Sequence, residues 1–232
     1  MNTPILEARG LQKCYTMTPA LDIDLILPRG KVVGLLGPNG SGKTTLIKLA
    51  AGLLRPTRGE LLISGMPVSQ HTKAIVSYLP ERNALPNWMK AADALDFYAT
   101  MFPDFDRERA IYMLDTLQIP AAQRIKTLSK GMKEKVQVVL AMSRHAELFL
   151  LDEPIGGVDP ATRDFILDAV IRNREPNSTV LISTHLITDV EQILDDFIFL
   201  QKGHIVRYGP ACETREEEGK TLDQLFREVF RC

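Results

Sequence analysis

One segment restricts the fold more than any other: Gly37, Pro38, Asn39, Gly40, Ser41, Gly42, Lys43, Thr44 and Thr45. It matches G-x-x-x-x-G-K-[ST] at every fixed position. An apolar run, Val32-Val33-Gly34-Leu35-Leu36, leads in with the length of a buried strand, and Leu46, Ile47, Leu49 and Ala50 lead out at helical spacing. A strand, a glycine-rich turn and a helix in that order predict an α/β fold. Glycines let backbone N–H groups turn inward around an anion, and the helix N-terminus adds partial positive charge. Lys43 has the reach for the β- and γ-phosphates of a nucleotide, and the Thr44 hydroxyl can ligate Mg²⁺. The alternative, a glycine-rich turn without a ligand, leaves the Lys-Thr pair unexplained.

Composition excludes several function classes. The chain has 232 residues, 45% hydrophobic and 25% charged, enough for one large α/β domain with an inserted subdomain. Lys and Arg number 28 against 29 Asp and Glu, so no basic excess points to nucleic acid. Cys14, Cys212 and Cys232 have neither paired nor metal-ligand spacing, which predicts free thiols in a reducing compartment. The N-terminus lacks the plan of a signal peptide, and no apolar run approaches the ~18 residues of a membrane span. Any link to a membrane is expected through a partner protein, without direct insertion.

Hydrophobic periodicity divides the chain in three. Strand patterns at 5–11, 21–27, 31–36, 60–64 and 75–79 fill the first part. Helical patterns at 91–102, 106–117 and 129–143 fill the middle. The last part alternates again: strand 148–151, helix 161–173, strand 179–183, a short helix 187–194, a hairpin of 197–201 with 204–208, and a helix 222–230. Glu216-Glu217-Glu218 reads as a solvated turn before that last helix. The expected organisation is one domain, with a core of 1–81 and 146–232 and an all-helical insertion at 82–145.

A second element completes the phosphate site. Leu148-Phe149-Leu150-Leu151 is an apolar strand ending in Asp152-Glu153. Placed beside the loop strand, it delivers Asp152 to a Mg²⁺ shell, since Mg²⁺ prefers oxygen ligands. Glu153 then faces the γ-phosphate and can take a proton from an attacking water.

Between these elements lies Leu128-Ser129-Lys130-Gly131-Met132; after them come Gly157-Val158-Asp159-Pro160 and Ser183-Thr184-His185. In this order the set resembles the ATP-binding subunit of bacterial ATP-binding-cassette (ABC) transporters, over about residues 6–208. The resemblance implies a P-loop NTPase core, a mainly parallel sheet flanked by helices with an N-terminal antiparallel β subdomain, and an inserted all-helical subdomain. It implies ATP as substrate with Mg²⁺, and hydrolysis by Glu153, His185, Lys43 and Glu81. Tyr15 is implied to stack on adenine, residues 37–45 to hold the phosphates, and Thr44, Asp152 and Glu81 to hold the metal. Ser129 and Gly131 are implied to grip the γ-phosphate of ATP bound to a second subunit, and Asp159 to couple the two sites. Read from the residues alone, Ser129 also fits a plain helix N-cap, and Tyr15 a partly buried strand tyrosine.

Three positions depart from the family pattern: Glu81, Lys130 and Met132, the last standing where glutamine is usual. Glu81 stands where glutamine is usual, and one like-charge pair at ~4 Å with an effective dielectric of ~20 costs about 4 kcal/mol before metal screening. Slower hydrolysis or altered metal dependence is expected. Lys130 replaces a glycine, and either adds charge near the triphosphate or points into solvent.

The implied partners are a transmembrane permease subunit and a second ATPase subunit, identical or related. The chain is then expected in the cytoplasm, peripheral on the inner face of the membrane. The apolar stretch Leu85-Pro86-Asn87-Trp88-Met89 is either the permease docking site or core of the insertion. A soluble ABC-type ATPase, or a nucleotide-gated module that hydrolyses slowly, is the alternative function. Cargo is chosen by the permease and is not legible here.

Overall fold

The computed structural model describes residues 3–230. Cys232 therefore lies outside the described residues, while Cys14 and Cys212 are free thiols. The first part of the chain runs β1 (Leu6–Cys14), β2 (Pro19–Leu27), β3 (Val32–Leu36), α1 (Lys43–Ala50), β4 (Arg58–Ile63), β5 (Met66–Pro67), α2 (Gln70–Ala74) and β6 (Val76–Leu79). Helices follow: α3 (Ala91–Met101), α4 (Arg107–Thr116), a 3-10 turn (Ile125–Thr127) and α5 (Lys130–Met142). The last part runs β7 (Leu148–Asp152), α6 (Pro160–Arg172), β8 (Thr179–Thr184), α7 (Ile187–Val190), β9 (Asp196–Gln201), β10 (His204–Pro210), α8 (Ala211–Glu218) and α9 (Leu222–Val229).

These strands form a 4-stranded antiparallel sheet, ordered β2-β1-β4-β5, and a 6-stranded sheet, ordered β10-β9-β3-β8-β7-β6. The larger sheet is parallel except for β10. Both of its faces are covered, which is why its strands read as unbroken apolar runs. Alternate side chains serve two cores. Val33 and Leu35 of β3, with Leu148, Leu150, Leu181 and Ile198, pack with α1 and the smaller sheet. Val32 and Leu36, with Phe149, Leu151, Ile182 and Phe197, pack with the helices. Full burial of one such side chain contributes about 1.5–3 kcal/mol, so a one-residue slip of register would disrupt both cores together.

β6 and β7 are parallel neighbours, and the whole helical stretch is the connection between them. Arg144 fastens that stretch to the sheet. Its guanidinium is buried, pairs with Asp104 at 2.9 Å and donates to the carbonyls of Val76 (2.7 Å) and Ala74 (2.6 Å). It also lies 3.9 Å from the Phe102 ring centroid.

Several expectations need correction. The acidic run is solvent-exposed but closes α8 rather than forming a turn. That helix buries only Ala211 and Thr214, too few apolar contacts to leave a periodic signature. The helix expected at 187–194 ends at Val190, and the short β5 and α2 lie where no element was expected. Trp88 is not core: it is 71% exposed, while its neighbour Met89 is buried.

Candidate functional site

The phosphate loop leaves β3 at Leu36 and enters α1 at Lys43. Gly42 sets the entry angle with φ 110, and a Cβ there would stand 2.7 Å from the Ala20 carbonyl oxygen. The Gly203 N–H donates to the Ser41 carbonyl at 2.8 Å, so the β9–β10 hairpin braces the loop from behind. Lys43 is nearly buried and curls back, donating to the carbonyls of Gly37 (2.7 Å) and Pro38 (3.3 Å). Asn39, Gly40, Ser41, Gly42, Lys43, Thr44 and Thr45 line a cleft of about 330 Å³ together with Glu81 and Glu153.

β7 brings the carboxylates to this cleft. Asp152, 1% exposed, accepts at Oδ1 from Ser183 Oγ (2.7 Å) and Thr44 Oγ1 (3.0 Å). Burial pushes its pKa up; the Ser183 and Thr44 hydrogen bonds act against this, and the charges of Glu81 and Glu153 add to it. Burial first, then the charges of Asp152 and Glu81, push Tyr78 up to about 12. Glu153 sits at φ 49, a left-handed conformation that costs a non-glycine residue on the order of 1 kcal/mol or more. Its N–H donates to both the carbonyl and the Oγ of Ser183, each at 3.0 Å, which holds the strained turn. Glu153 Oε2 meets His185 Nδ1 at 3.0 Å, and Oε1 lies 3.3 Å from Lys43 Nζ, at ion-pair distance but off hydrogen-bond alignment.

The cleft suits a Mg²⁺ ion bound with a nucleotide. Asp152 Oδ2 is buried with no hydrogen-bond partner among the described residues, and the nearby donors are hydroxyl and carboxylate oxygens. Among the described residues no three His, Cys, Asp or Glu side chains form a metal cage. Mg²⁺ needs none, since one or two carboxylates plus substrate phosphates suffice.

Other expected site residues stand apart from this cleft. Ser129 is exposed and caps α5, accepting from the Met132 N–H at 3.2 Å. Asp159 is exposed and caps α6; the Thr162 hydroxyl (2.7 Å) and N–H (2.9 Å) both donate to it and hold its pKa below the ordinary value. Gly131 lies between these turns: a Cβ there would stand 3.1 Å from Asp159 Oδ2 and from Thr162 Oγ1. Its absence lets α5 and α6 start in contact. Lys130 is largely in solvent, its side chain 72% exposed, while its ammonium donates to the Gly157 carbonyl at 3.1 Å. It borders a second cleft, about 450 Å³, with Glu81, Glu153 and His185. Tyr15 lies in a bend after β1, 60% exposed, with Lys13 Nζ 5.5 Å from its ring centroid. It is not a partly buried strand tyrosine, and it lines neither cleft. Ser183 was not expected in the site; a serine ending an apolar strand carries no pattern, and only its place before His185 hinted at it.

The family profile described as ABC transporter matches residues 21–156, more than half of the chain. The chain belongs to the ABC transporter family. This ABC cassette is 33% identical to the ABC transporter ATP-binding protein YhaQ of Bacillus subtilis (strain 168), over 89% of its own length and 70% of the relative's. A solved ATP-binding subunit of an ABC transporter superposes with TM-score 0.88 at 28% identity, covering 98% of this chain and 100% of that one. An ATP-binding cassette solved as a post-hydrolysis dimer with ADP and phosphate shares the fold, at TM-score 0.78 and 22% identity over 88% of this chain and 98% of that one. The ABC cassette is therefore a nucleotide-binding ATPase subunit with the P-loop fold. Asp159 and His185 lie beyond the segment that the profile matches.

Proposed function

We propose that two such chains, identical or related, clamp MgATP between the phosphate loop of one and Ser129 with Gly131 of the other. Hydrolysis opens the clamp and drives a transmembrane permease subunit. The observation that carries this reading is a set of contacts around the phosphate loop: Lys43 and His185 flank Glu153, and Thr44 donates to Asp152.

The chain's own residues divide the work. Lys43 leaves Glu153 for phosphate oxygens, and the loop N–H groups take the remaining anionic charge. Thr44, Asp152 and Glu81 would hold Mg²⁺, which supplies charge neutralisation on the phosphates when bound. Glu153, freed from Lys43, accepts a proton from the attacking water at a carboxylate oxygen. His185 fixes Glu153 through Oε2 and is placed to reach the γ-phosphate. Ser129 and Asp159 stand outside both clefts of their own chain, which supports their acting on a second copy across a two-fold interface. Tyr15, exposed just after β1 of the antiparallel sheet, is free to stack on adenine.

No helix among the described residues is long and apolar enough to cross a membrane, so membrane attachment falls to the permease. The exposed Trp88, and a cleft of about 260 Å³ lined by Leu53, Tyr78, Tyr98 and Phe102, offer it apolar surface. The chain then works at the cytoplasmic face.

Light scattering of Glu153→Gln with saturating MgATP tests the clamp. We expect a dimer that forms with ATP and not with ADP, and no turnover. A variant that stays monomeric at high concentration rejects the clamp for identical chains.

A further inference from the structure

Two turns of the site are joined by an ion pair that the proposed reaction does not use. Arg163 Nη1, in the first turn of α6, lies 2.6 Å from Asp189 Oδ1 in α7. Their side chains are 28% and 21% exposed, and Arg163 Nε is buried with no hydrogen-bond partner among the described residues.

Each end of the pair sits one turn from a site residue. The Arg163 N–H donates to the Asp159 carbonyl at 3.0 Å, closing the turn that Asp159 also caps through Thr162. On the other side, His185 lies just before α7, and the Leu186 N–H donates to Thr184 Oγ1 at 3.0 Å, which ties this corner to the end of β8. His185 Nδ1 then meets Glu153 Oε2 at 3.0 Å. The route from Asp159 to Glu153 runs through the α6 turn, the ion pair, the backbone from Asp189 back to His185, and the His185–Glu153 contact.

We propose that Arg163 and Asp189 are positioning residues: their pair transmits the position of the Asp159 turn to His185, and so sets His185 against Glu153. This rests on the ATPase reading above. The contact is a single Nη1–Oδ1 approach off hydrogen-bond alignment, so it acts as a charge pair, and its partial burial keeps water from weakening it much. A contact that merely stabilised α7 would serve equally well anywhere along the helix. This one instead links the first turn of α6 to α7 directly after His185.

Coupling is shown by non-additivity, not by proximity. The test uses Arg163→Met and Asp189→Asn in the full chain, with His185→Ala as reference. Turnover, MgATP affinity and the imidazole Cε1–H NMR signals of the 4 histidines are read together. The His185 signal is assigned by its loss in His185→Ala. We expect turnover to fall roughly three- to thirtyfold in each variant, with Kd for MgATP unchanged. The His185 signal shifts while those of His71 and His204 stay in place. Adding either substitution to His185→Ala lowers turnover no further, and exchanging the two charges (Arg163→Asp with Asp189→Arg) restores part of it. Wild-type turnover in both variants overturns the proposal, as does a loss that is additive with His185→Ala. If Arg163→Met does not fold, Asp189→Asn, which keeps the side-chain volume, carries the test. If the wild-type chain shows no turnover, the ATPase reading fails separately. The NMR signal then decides the coupling, and a His185 resonance indifferent to both substitutions overturns it.

Discussion

Asp152 bears its charge where the folded chain disfavours it. Burial raises its pKa above the unfolded value, so stability falls as pH rises from the unfolded pKa through the folded one. Asp152→Asn removes the charge and keeps an oxygen for Thr44 and Ser183. We expect the nucleotide-free variant to lose turnover yet melt higher, by about 2–4 °C for each kcal/mol relieved; a Tm at or below wild type at pH 7 rejects this. Glu81 lines the same cleft and adds to the same penalty. Glu81→Gln should raise turnover and alter the Mg²⁺ dependence, and a rate and Mg²⁺ profile identical to wild type would sink that idea. At this scale Lys43, Thr44, Asp152 and Glu153 were legible because each occupies a fixed place in a local pattern. Ser183 and the left-handed backbone of Glu153 were not, since the strain exists only once β7 and β8 are side by side.

Among the elements, the connection between β6 and β7 depends most on one side chain. Removing Arg144 strands Asp104 and leaves the Val76 and Ala74 carbonyls without their donor. Arg144→Ala is expected to cost about 3 kcal/mol, measured by denaturant unfolding. A loss under about 0.5 kcal/mol, the scale of an ordinary surface substitution, rejects the anchoring role. The long helices and buried strands were readable from periodicity, with ends off by up to three residues, as at β1. α8 was not, because a helix resting mostly in solvent has no apolar stripe to read. Caps behaved similarly. Ser129 and Asp159 follow ordinary capping chemistry, which a single chain displays whatever they contact across an interface.

At the scale of the whole molecule, the proposed permease partner requires a docking surface. Trp88 is 71% exposed beside buried Met89, so it is anchored from below and presented outward. Exposed tryptophans at interface centres often contribute about 2 kcal/mol or more. Trp88→Ser should therefore weaken association with the transmembrane subunit while leaving ATP binding intact. Co-purification from membranes checks this, and undiminished assembly would count against docking there.

Local pattern alone determined the phosphate loop, the alternation of strands and helices, and the chemistry of Lys43, Thr44, Asp152 and Glu153. Spacing within a few residues fixes backbone geometry and exposure, and the residue types then fix the reaction they suit. Tertiary structure alone decided that Thr44 and Ser183 converge on Asp152, that Lys43 and His185 flank Glu153, and that Arg163 joins Asp189. These partners lie far apart along the chain. Their meeting depends on which strands are neighbours and how the helices pack over them, and no single stretch of sequence carries that information.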